Sequence, residues 1–330
     1  MKNIKIFRLI GLVLLMISCS GRHLDNQKNT DIHSQKHIVN NKTRLSEQKA
    51  DATLTFPFPE IPVVLTQSEE RREYLLEHFW DRFDFSDTLL VNDRNISEQG
   101  LANQFSLLAD KTVSEKWRVK SIDNLCTGME RHEHARSVFM RWIENYLYNP
   151  NSPFYNEPLY SIYLQRMLRS SVLDEVRRSP LEFQLKLLER NRPGTKAANF
   201  AYYLPDGSRV TLDKTSVKGE FLLLFFYDPE CPKCHKILEE MTADKELSVL
   251  ATAGKLTILA VYTEGDETVW RTALADMPEE WLVGNDRQTV KENALYDLRA
   301  MPSLYLLDKH KTVLLKDASY GAVKKNLGIR

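Results

Sequence analysis

The chain has 330 residues, which is long enough for about two domains. Hydrophobic residues make up 42% of it and charged residues 27%, so most of the chain is predicted to fold around apolar cores. Lys plus Arg and Asp plus Glu each number 45, which gives a formal net charge of zero. This balance argues against nucleic acid as a partner, because proteins that bind a polyanion need an excess of basic side chains on one face.

The first residues have the pattern of an export signal. Three basic side chains come first, at Lys2, Lys5 and Arg8. The apolar run 9–17 is shorter than the roughly 20 residues that a membrane-spanning helix needs, and it is typical of a signal peptide. Residues 16–19, Met-Ile-Ser-Cys, resemble a bacterial lipobox, in which the chain is cut before the cysteine and the thiol is acylated. We therefore expect a signal peptide at residues 1–18 and a lipid anchor at Cys19. The alternatives are an uncleaved anchor and an ordinary signal peptide with a chance cysteine.

Residues 19–55 are predicted to be a flexible tether. They are rich in Asn, Gln, Lys, His and Asp and show no apolar period, so they cannot bury enough surface to offset the entropy of ordering. The protein is then expected in the cell envelope, held to a membrane by its lipid and facing the periplasm. In that oxidising setting three thiols stay available for redox chemistry, those of Cys126, Cys231 and Cys234.

Residues 56–192 have the apolar spacing of an all-α domain with six helices. A capping box at residues 66–69 is predicted to begin the first helix, whose apolar side chains are Leu75, Leu76, Phe79, Trp80 and Phe83. Helices two to five are expected to carry the apolar sets within 101–108, 122–129, 138–146 and 159–167. The sixth helix is predicted to begin with Ser179 as its N-cap and Pro180 in its first turn, and to bury Phe183, Leu187 and Leu188.

No catalytic arrangement stands out in this helical domain. Its histidines are scattered, and we interpret them as surface or packed side chains rather than a metal site; they are His78, His132 and His134. Cys126 lies four residues after Ile122 on the apolar side of its helix, so a buried and inert thiol is expected. The domain is expected to hold a partner or to position the domain that follows it.

Residues 193–330 have the pattern of an α/β domain with a mixed central sheet flanked by helices. It follows the chain breaker Asn-Arg-Pro-Gly at residues 191–194. The predicted strands are a hairpin at 200–204 and 208–212, two buried apolar runs at 221–227 and 256–262, and an antiparallel pair at 304–307 and 312–315. The predicted helices begin at the motif described next and cover 269–277, 290–298 and 321–327.

Cys231-Pro232-Lys233-Cys234 follows the first buried strand and opens an amphipathic helix. At a helix N-terminus, free backbone N–H groups and the helix dipole favour the thiolate of Cys231. Cys234 lies one turn later, within disulfide reach, so the first thiol can attack a substrate disulfide and the second can resolve the mixed disulfide. The strand before it and the helix after it make this motif far more specific than a bare pair of cysteines.

This dithiol motif, together with Met301-Pro302 at the start of a later strand, resembles the architecture of the thioredoxin superfamily. The resemblance implies that Pro302 is cis and lies against the dithiol, and that its neighbour's backbone pairs with bound substrate. The hairpin before the first core strand is similar to the TlpA/ResA-like branch of exported thiol–disulfide oxidoreductases. The helical domain resembles the uncharacterised domain that precedes such thioredoxin-like domains in lipoproteins of the Bacteroidota. That likeness is carried by Glu-His-Phe-Trp-Asp at 77–81, Asn-Pro-Asn-Ser-Pro at 149–153 and Asn-Arg-Pro-Gly at 191–194.

Two positions near the dithiol depart from thioredoxins proper. Glu230 precedes the first cysteine, where they usually have Trp, and Phe225 stands where they bury an acid that accepts the proton of the second thiol. Glu230 is expected to oppose the Cys231 thiolate, whereas Lys233 and a protonated His235 favour it. Without a buried acid at position 225, the proton of the Cys234 thiol must be accepted by Glu230, by a water or by another acid.

Residues 231–235, Cys-Pro-Lys-Cys-His, also match the attachment pattern of c-type haem. Attachment needs an open pocket of haem size, whereas this motif is expected to be packed between strand and helix, so haem is a remote alternative. Zinc is disfavoured because two cysteines supply half of a tetrahedral shell. The Thr-x-x-Cys element of peroxiredoxins is missing. A binding lipoprotein with Cys231–Cys234 as a structural disulfide is the main alternative.

The sequence as a whole predicts a lipid-anchored thiol–disulfide oxidoreductase that reduces disulfides of exported proteins. Cys231 is the expected nucleophile and Cys234 the resolving thiol, with Met301-Pro302 as the substrate-binding turn. The residues expected to modulate the pair are Glu230, Pro232, Lys233 and His235. The expected partners are protein thiols or disulfides and an upstream electron donor or acceptor. Neither a cofactor nor a metal is expected.

Overall fold

The computed structural model describes residues 55–329. The predicted signal peptide, Cys19 and nearly all of the predicted tether lie outside the described residues. No helix within 55–329 combines the length and the apolar character that crossing a membrane requires.

Between residues 55 and 192 the chain forms seven α-helices and one π-helical turn, Arg94–Glu98. The helices are α1 (Ser68–His78), α2 (Thr88–Asn92), α3 (Gln99–Leu108), α4 (Glu115–Glu130), α5 (Glu133–Leu147), α6 (Glu157–Leu168) and α7 (Glu175–Glu189). The prediction of an all-α domain is confirmed. The short helix α2 is the one that the apolar spacing does not predict.

An aromatic cluster forms the centre of this helical part. Trp80, Phe83, Phe85 and Phe139 are buried, and their ring centroids lie between 4.8 and 5.8 Å apart. The indole N–H of Trp80 donates to Gln104 Oε1 at 3.0 Å, so the polar edge of this ring is satisfied inside the core. Because α1 ends before Trp80, the cluster is built by the turn that follows the helix and not by the helix face that the spacing predicts.

The start of α1 differs from the prediction. The helix begins at Ser68 with Gln67 as its N-cap residue, and no side chain caps its first turn. The predicted capping box at residues 66–69 is therefore wrong. The entering chain is held instead by Arg71, whose Nη1 donates to the carbonyl of Leu65 at 3.1 Å.

The start of α7 is also earlier than predicted. Asp174 accepts a hydrogen bond from the backbone N–H of Arg177 at 2.9 Å, and this cap begins the helix at Glu175. Pro180, predicted in the first turn, lies inside the helix. Phe183, predicted in the core, is 55% exposed, whereas Leu187 and Leu188 are buried as predicted and Leu181 is buried with them.

Between residues 193 and 329 the chain forms a seven-stranded mixed sheet with five α-helices. The strands are β1 (Ala201–Tyr203), β2 (Arg209–Thr211), β3 (Phe221–Tyr227), β4 (Leu256–Tyr262), β5 (Leu282–Asn285), β6 (Ser303–Asp308) and β7 (Val313–Leu315). Their order is β2-β1-β5-β4-β3-β6-β7; β3, β4 and β5 are parallel, and every other neighbouring pair is antiparallel. The helices are α8 (Pro232–Ala243), α9 (Lys245–Thr252), α10 (Glu267–Ala273), α11 (Thr289–Glu292) and α12 (Tyr320–Leu327).

The α/β prediction is confirmed, with two elements added and one shortened. β3 and β4 occupy the residues of the two predicted apolar runs. β5 and α9 are not predicted from the sequence. The helix predicted at 290–298 is shortened to α11, Thr289–Glu292, which shares three residues with the predicted range. The remaining strands and helices lie within a few residues of their predicted positions.

β3 is the central strand of the sheet and is buried on both faces. Its alternate side chains enter two separate cores, as the period of two in a strand requires. Leu223, Phe225 and Tyr227 pack on the face that carries α8 and α12, whereas Leu222, Leu224 and Phe226 pack on the face that carries α11. The carboxyl end of this fully buried strand leads directly into the dithiol motif.

The helical part and the α/β part are packed together in one compact unit of the described residues. Asn191 is buried, and its Nδ2 donates to the carbonyl of Leu295 at 2.8 Å. Its Oδ1 accepts the backbone N–H of Ala198 at 2.7 Å. The side chain at the end of the helical part is thereby fixed to the α/β part on two sides.

Candidate dithiol site

A tight turn after β3 places Cys231 at the start of α8. The backbone N–H of Cys231 donates to the carbonyl of Asp228 at 3.1 Å, and the N–H of Glu230 donates to Asp228 Oδ1 at 3.0 Å. Cys231 is the N-cap residue of α8, and Pro232 takes the first helical position. Proline suits that position because its missing N–H would have no partner there. The turn therefore presents Cys231 at the tip of a helix.

The cis-proline turn lies against Cys231. The Met301–Pro302 peptide bond is cis, as the resemblance to thioredoxins implies. Cys231 is half-buried, and its thiol Sγ lies 3.8 Å from the carbonyl oxygen of Met301. These two residues are 70 positions apart in the chain, and the antiparallel pairing of β6 with β3 brings them together.

Cys234 lies one turn further into the helix and is 2% exposed. Burial raises the pKa of its thiol to about 12, and the Cys231 thiol and the charge of Asp228 act in the same direction. The backbone N–H of Asp228 donates to Cys234 Sγ at 3.5 Å and partly opposes that shift. Both cysteines are free thiols in this structure. At neutral pH the second thiol is accordingly protonated.

The residues between and beside the cysteines point in different directions. Glu230 and Pro232 are exposed. Lys233 Nζ donates to Asn151 Oδ1 at 3.1 Å, a contact with the helical part that the sequence does not reveal. The Nε2–H of His235 donates to the carbonyl of Pro229. This bond uses the ring nitrogen that haem iron would need in the Cys-x-x-Cys-His pattern.

A groove of about 330 Å³ opens beside Cys234. Its walls include Tyr227, Leu238 and Met277, and three acids also line it, Asp228, Glu239 and Asp276. Phe225 fills the position of the usual buried acid; it is fully buried, and its ring is stacked on Tyr227 with centroids 5.5 Å apart. The core thus offers Cys234 no acid at Phe225, whereas three acids line the groove beside this thiol.

The cysteine and histidine side chains of the helical part form no site with the dithiol in the described residues. Cys126 is fully buried and burial raises the pKa of its thiol, so the prediction of a buried thiol is confirmed. His78 pairs with Asp81 at 2.6 Å. Within residues 55–329 there is no group of three or more His, Cys, Asp or Glu side chains that could hold a metal ion.

Comparison with known proteins finds two family models and a similar solved structure. One family model, described as a domain of unknown function (DUF5106), matches residues 23–191, and a thioredoxin-like domain model matches residues 209–326. A crystal structure of a thioredoxin-like protein from Bacteroides caccae is 36% identical, with a TM-score of 0.74, and the match covers 83% of this chain and 98% of that one. The chain belongs to the family of thioredoxin-like proteins with an N-terminal DUF5106 domain.

Two further matches to this thioredoxin-like protein each cover about two fifths of its chain. The C-terminal domain of an uncharacterised protein from Bacteroides fragilis is 41% identical over 42% of this chain and 98% of that chain, with a TM-score of 0.40. The thioredoxin domain of a thiol-disulfide oxidoreductase from Bacteroides vulgatus is 21% identical over 41% and 97%, with a TM-score of 0.36. Comparison with curated proteins gives no match. The DUF5106 match begins at residue 23, inside the segment predicted as a tether.

The raised pKa of Cys234 predicts how this thiol reacts with an alkylating agent. In a Cys231→Ser variant at pH 7, we expect iodoacetamide to modify Cys234 roughly two orders of magnitude more slowly than an unfolded cysteine of pKa near 8.5, because the smaller thiolate fraction outweighs the greater nucleophilicity of the more basic thiolate. Because the folded pKa is about 12, the rate should keep rising about tenfold per pH unit up to about pH 10. Site-resolved mass spectrometry measures the rate, with the urea-unfolded variant as control. A plateau near pH 8 to 9 in the folded protein contradicts the burial argument.

Proposed function

We propose that this protein is a thiol–disulfide oxidoreductase that reduces disulfides of exported proteins through Cys231 and Cys234. The observation that carries the proposal is the pairing of a half-buried thiol at a helix N-terminus with a cis-proline turn 3.8 Å away. A second thiol lies one helical turn behind it and is 2% exposed. One sulfur is thus available to a substrate and the other is kept from it.

The first step in this proposal is attack by Cys231. Its thiol lies at the N-cap of α8, beside the Met301 carbonyl, where a substrate can reach it. The thiolate forms a bond to one sulfur of the substrate disulfide, and the substrate S–S bond breaks. The other substrate sulfur leaves as a thiolate and takes up a proton. A mixed disulfide between Cys231 and the substrate is the result.

The second step is resolution by Cys234. Its thiol loses a proton and attacks Cys231 Sγ, which forms the Cys231–Cys234 disulfide and releases the second substrate sulfur as a thiol. The substrate gains two electrons and the protein loses them, so a reduced thiol donor must restore the dithiol. The N–H of Asp228, 3.5 Å from Cys234 Sγ, supports the thiolate at the moment of attack. The acids of the adjacent groove are the available proton acceptors.

Reduction of insulin disulfides by the purified full chain, with dithiothreitol as donor, tests this function. Cys231→Ser should lose the activity above the donor alone, because no other exposed thiol occupies the helix tip. Cys126→Ala, which changes a buried thiol far from the site, should keep wild-type activity and serves as the matched control. Cys234→Ser should accumulate a mixed disulfide through Cys231, since attack proceeds but resolution does not.

Equal activity in wild type and Cys231→Ser, at the level of the donor alone, contradicts the proposal. If wild type and Cys231→Ser then capture the same partner protein equally well, the alternative is favoured, namely a binding lipoprotein in which Cys231–Cys234 is a structural disulfide.

We further propose that the protein is anchored through a lipid on Cys19 and works on the periplasmic side of a membrane. The support is the signal-like segment and the Met-Ile-Ser-Cys pattern at residues 16–19. Cells fed a labelled fatty acid should label the wild-type chain and not Cys19→Ser, and only the wild type should fractionate with membranes. Equal labelling of both chains would contradict the anchor.

A further inference from the structure

Arg299, two residues before the cis Met301–Pro302 bond, links the α/β part to the helical part. Its Nε lies 2.7 and 2.8 Å from the two carboxylate oxygens of Asp297, and its Nη2 lies 2.6 Å from Asp297 Oδ2. Its Nη1 donates to the backbone carbonyl of Tyr148, and its guanidinium carbon lies 3.2 Å from the centre of the Tyr148 ring. Tyr148 begins the α5–α6 loop, residues 148–156. One side chain therefore joins residues 297–302, here called the cis-proline loop, to the α5–α6 loop.

These contacts lie largely away from water. Asp297 is 5% exposed and Tyr148 is 6% exposed, and the Tyr148 hydroxyl donates to Asp297 Oδ2 at 3.4 Å. A buried carboxylate needs a cation beside it, and a guanidinium meets that need while its planar fork also bonds the Tyr148 carbonyl. A lysine ammonium at the same position can pair with Asp297 but lacks the fork. Charge and geometry can therefore be separated by substitution.

Two lysine side chains of the α/β part also bond to the helical part. Asn151, in the α5–α6 loop, accepts the hydrogen bond from Lys233, which stands between the two cysteines. Lys316, which follows β7, has a side chain that is 6% exposed and donates to Glu157 Oε2 at 3.0 Å and to the Leu188 carbonyl at 2.9 Å. The loop is thus held beside the dithiol motif and the cis-proline loop together.

We propose that Arg299 is a positioning residue for the Met301–Pro302 turn, and that the α5–α6 loop forms one wall of the surface that receives a protein disulfide. This inference rests on the proposed function. A protein whose cysteine is bonded to Cys231 must lie along the turn and is wide enough to touch the loop. A small disulfide reaches Cys231 Sγ without either contact. The helical part thereby takes part in the choice of substrate.

The test is Arg299→Lys in the full chain, which keeps a positive charge beside Asp297. For insulin reduction we expect KM to rise about tenfold with kcat within about twofold, because the turn and the loop shift apart while the thiols stay in place. The rate constant for the reaction of the reduced dithiol with glutathione disulfide should stay within about twofold of wild type. Asn151→Ala should raise KM for insulin by a smaller factor, about threefold, and leave the small disulfide unaffected.

Arg190→Lys is the matched control. Arg190 Nη1 also joins the two parts, through the carbonyls of Asn293 at 3.1 Å and of Ala294, but none of its contacts includes the α5–α6 loop or the dithiol motif. Its KM for insulin should equal that of wild type. Thermal unfolding of each variant checks that the fold is retained.

Three results overturn the inference. If Arg299→Lys has the wild-type KM for insulin, only the positive charge at this position is needed. If Arg190→Lys raises the KM for insulin as much as Arg299→Lys does, the cause is a general loosening between the two parts. If Arg299→Lys lowers the rate constant with glutathione disulfide as much as it impairs insulin reduction, the dithiol itself is disturbed. Wild-type protein that fails to reduce insulin contradicts the proposed function, and the inference falls with it. The two failures are therefore distinguishable.

Discussion

The dithiol site depends on one constraint, the direct passage of the chain from the central strand β3 into α8. β3 is buried on both faces, so the sheet sets its position and direction. Asp228 closes the turn with three bonds: its carbonyl accepts from Cys231, its carboxylate accepts from Glu230, and its N–H points at Cys234 Sγ. A single residue thus leaves one thiol at the helix tip and encloses the other one turn later.

The two cysteines differ because their surroundings differ. Cys231 is half-buried, at the positive end of a helix dipole and against the Met301 carbonyl. Cys234 packs against the apolar core face of β3, where loss of hydration is the main cause of its raised pKa. Phe225, stacked on Tyr227, keeps that core free of the acid that thioredoxins proper carry. Proton transfer at the second thiol is therefore assigned to the solvent side of the helix, where the acid-lined groove lies.

The local parts of this architecture could be predicted from the sequence, because their signals lie within a few residues. The apolar runs of β3 and β4, the dithiol at a helix start and the Met301-Pro302 turn all belong to this kind. A competing signal displaced the predicted start of one helix, since Asp174 caps α7 before Ser179 can. The four-residue strand β5 is too short for a clear period. The contact of Arg299 with Tyr148 spans 151 positions, and no local pattern reports it. The Asn-Pro-Asn-Ser-Pro motif at 149–153 lies in the α5–α6 loop, but the contact of this loop with Arg299 is seen only in the fold.

The most direct test of the central claim is a redox titration of the wild-type chain in mixtures of glutathione and glutathione disulfide. The free thiols are trapped at each ratio and located by mass spectrometry. The account predicts one reversible two-electron transition in which Cys231 and Cys234 lose their thiols together and the chain loses two hydrogens, with a tenfold change in the ratio of oxidised to reduced protein per about 30 mV. Stable glutathione adducts on Cys231 with a free thiol at Cys234, or no change at either residue, would contradict it.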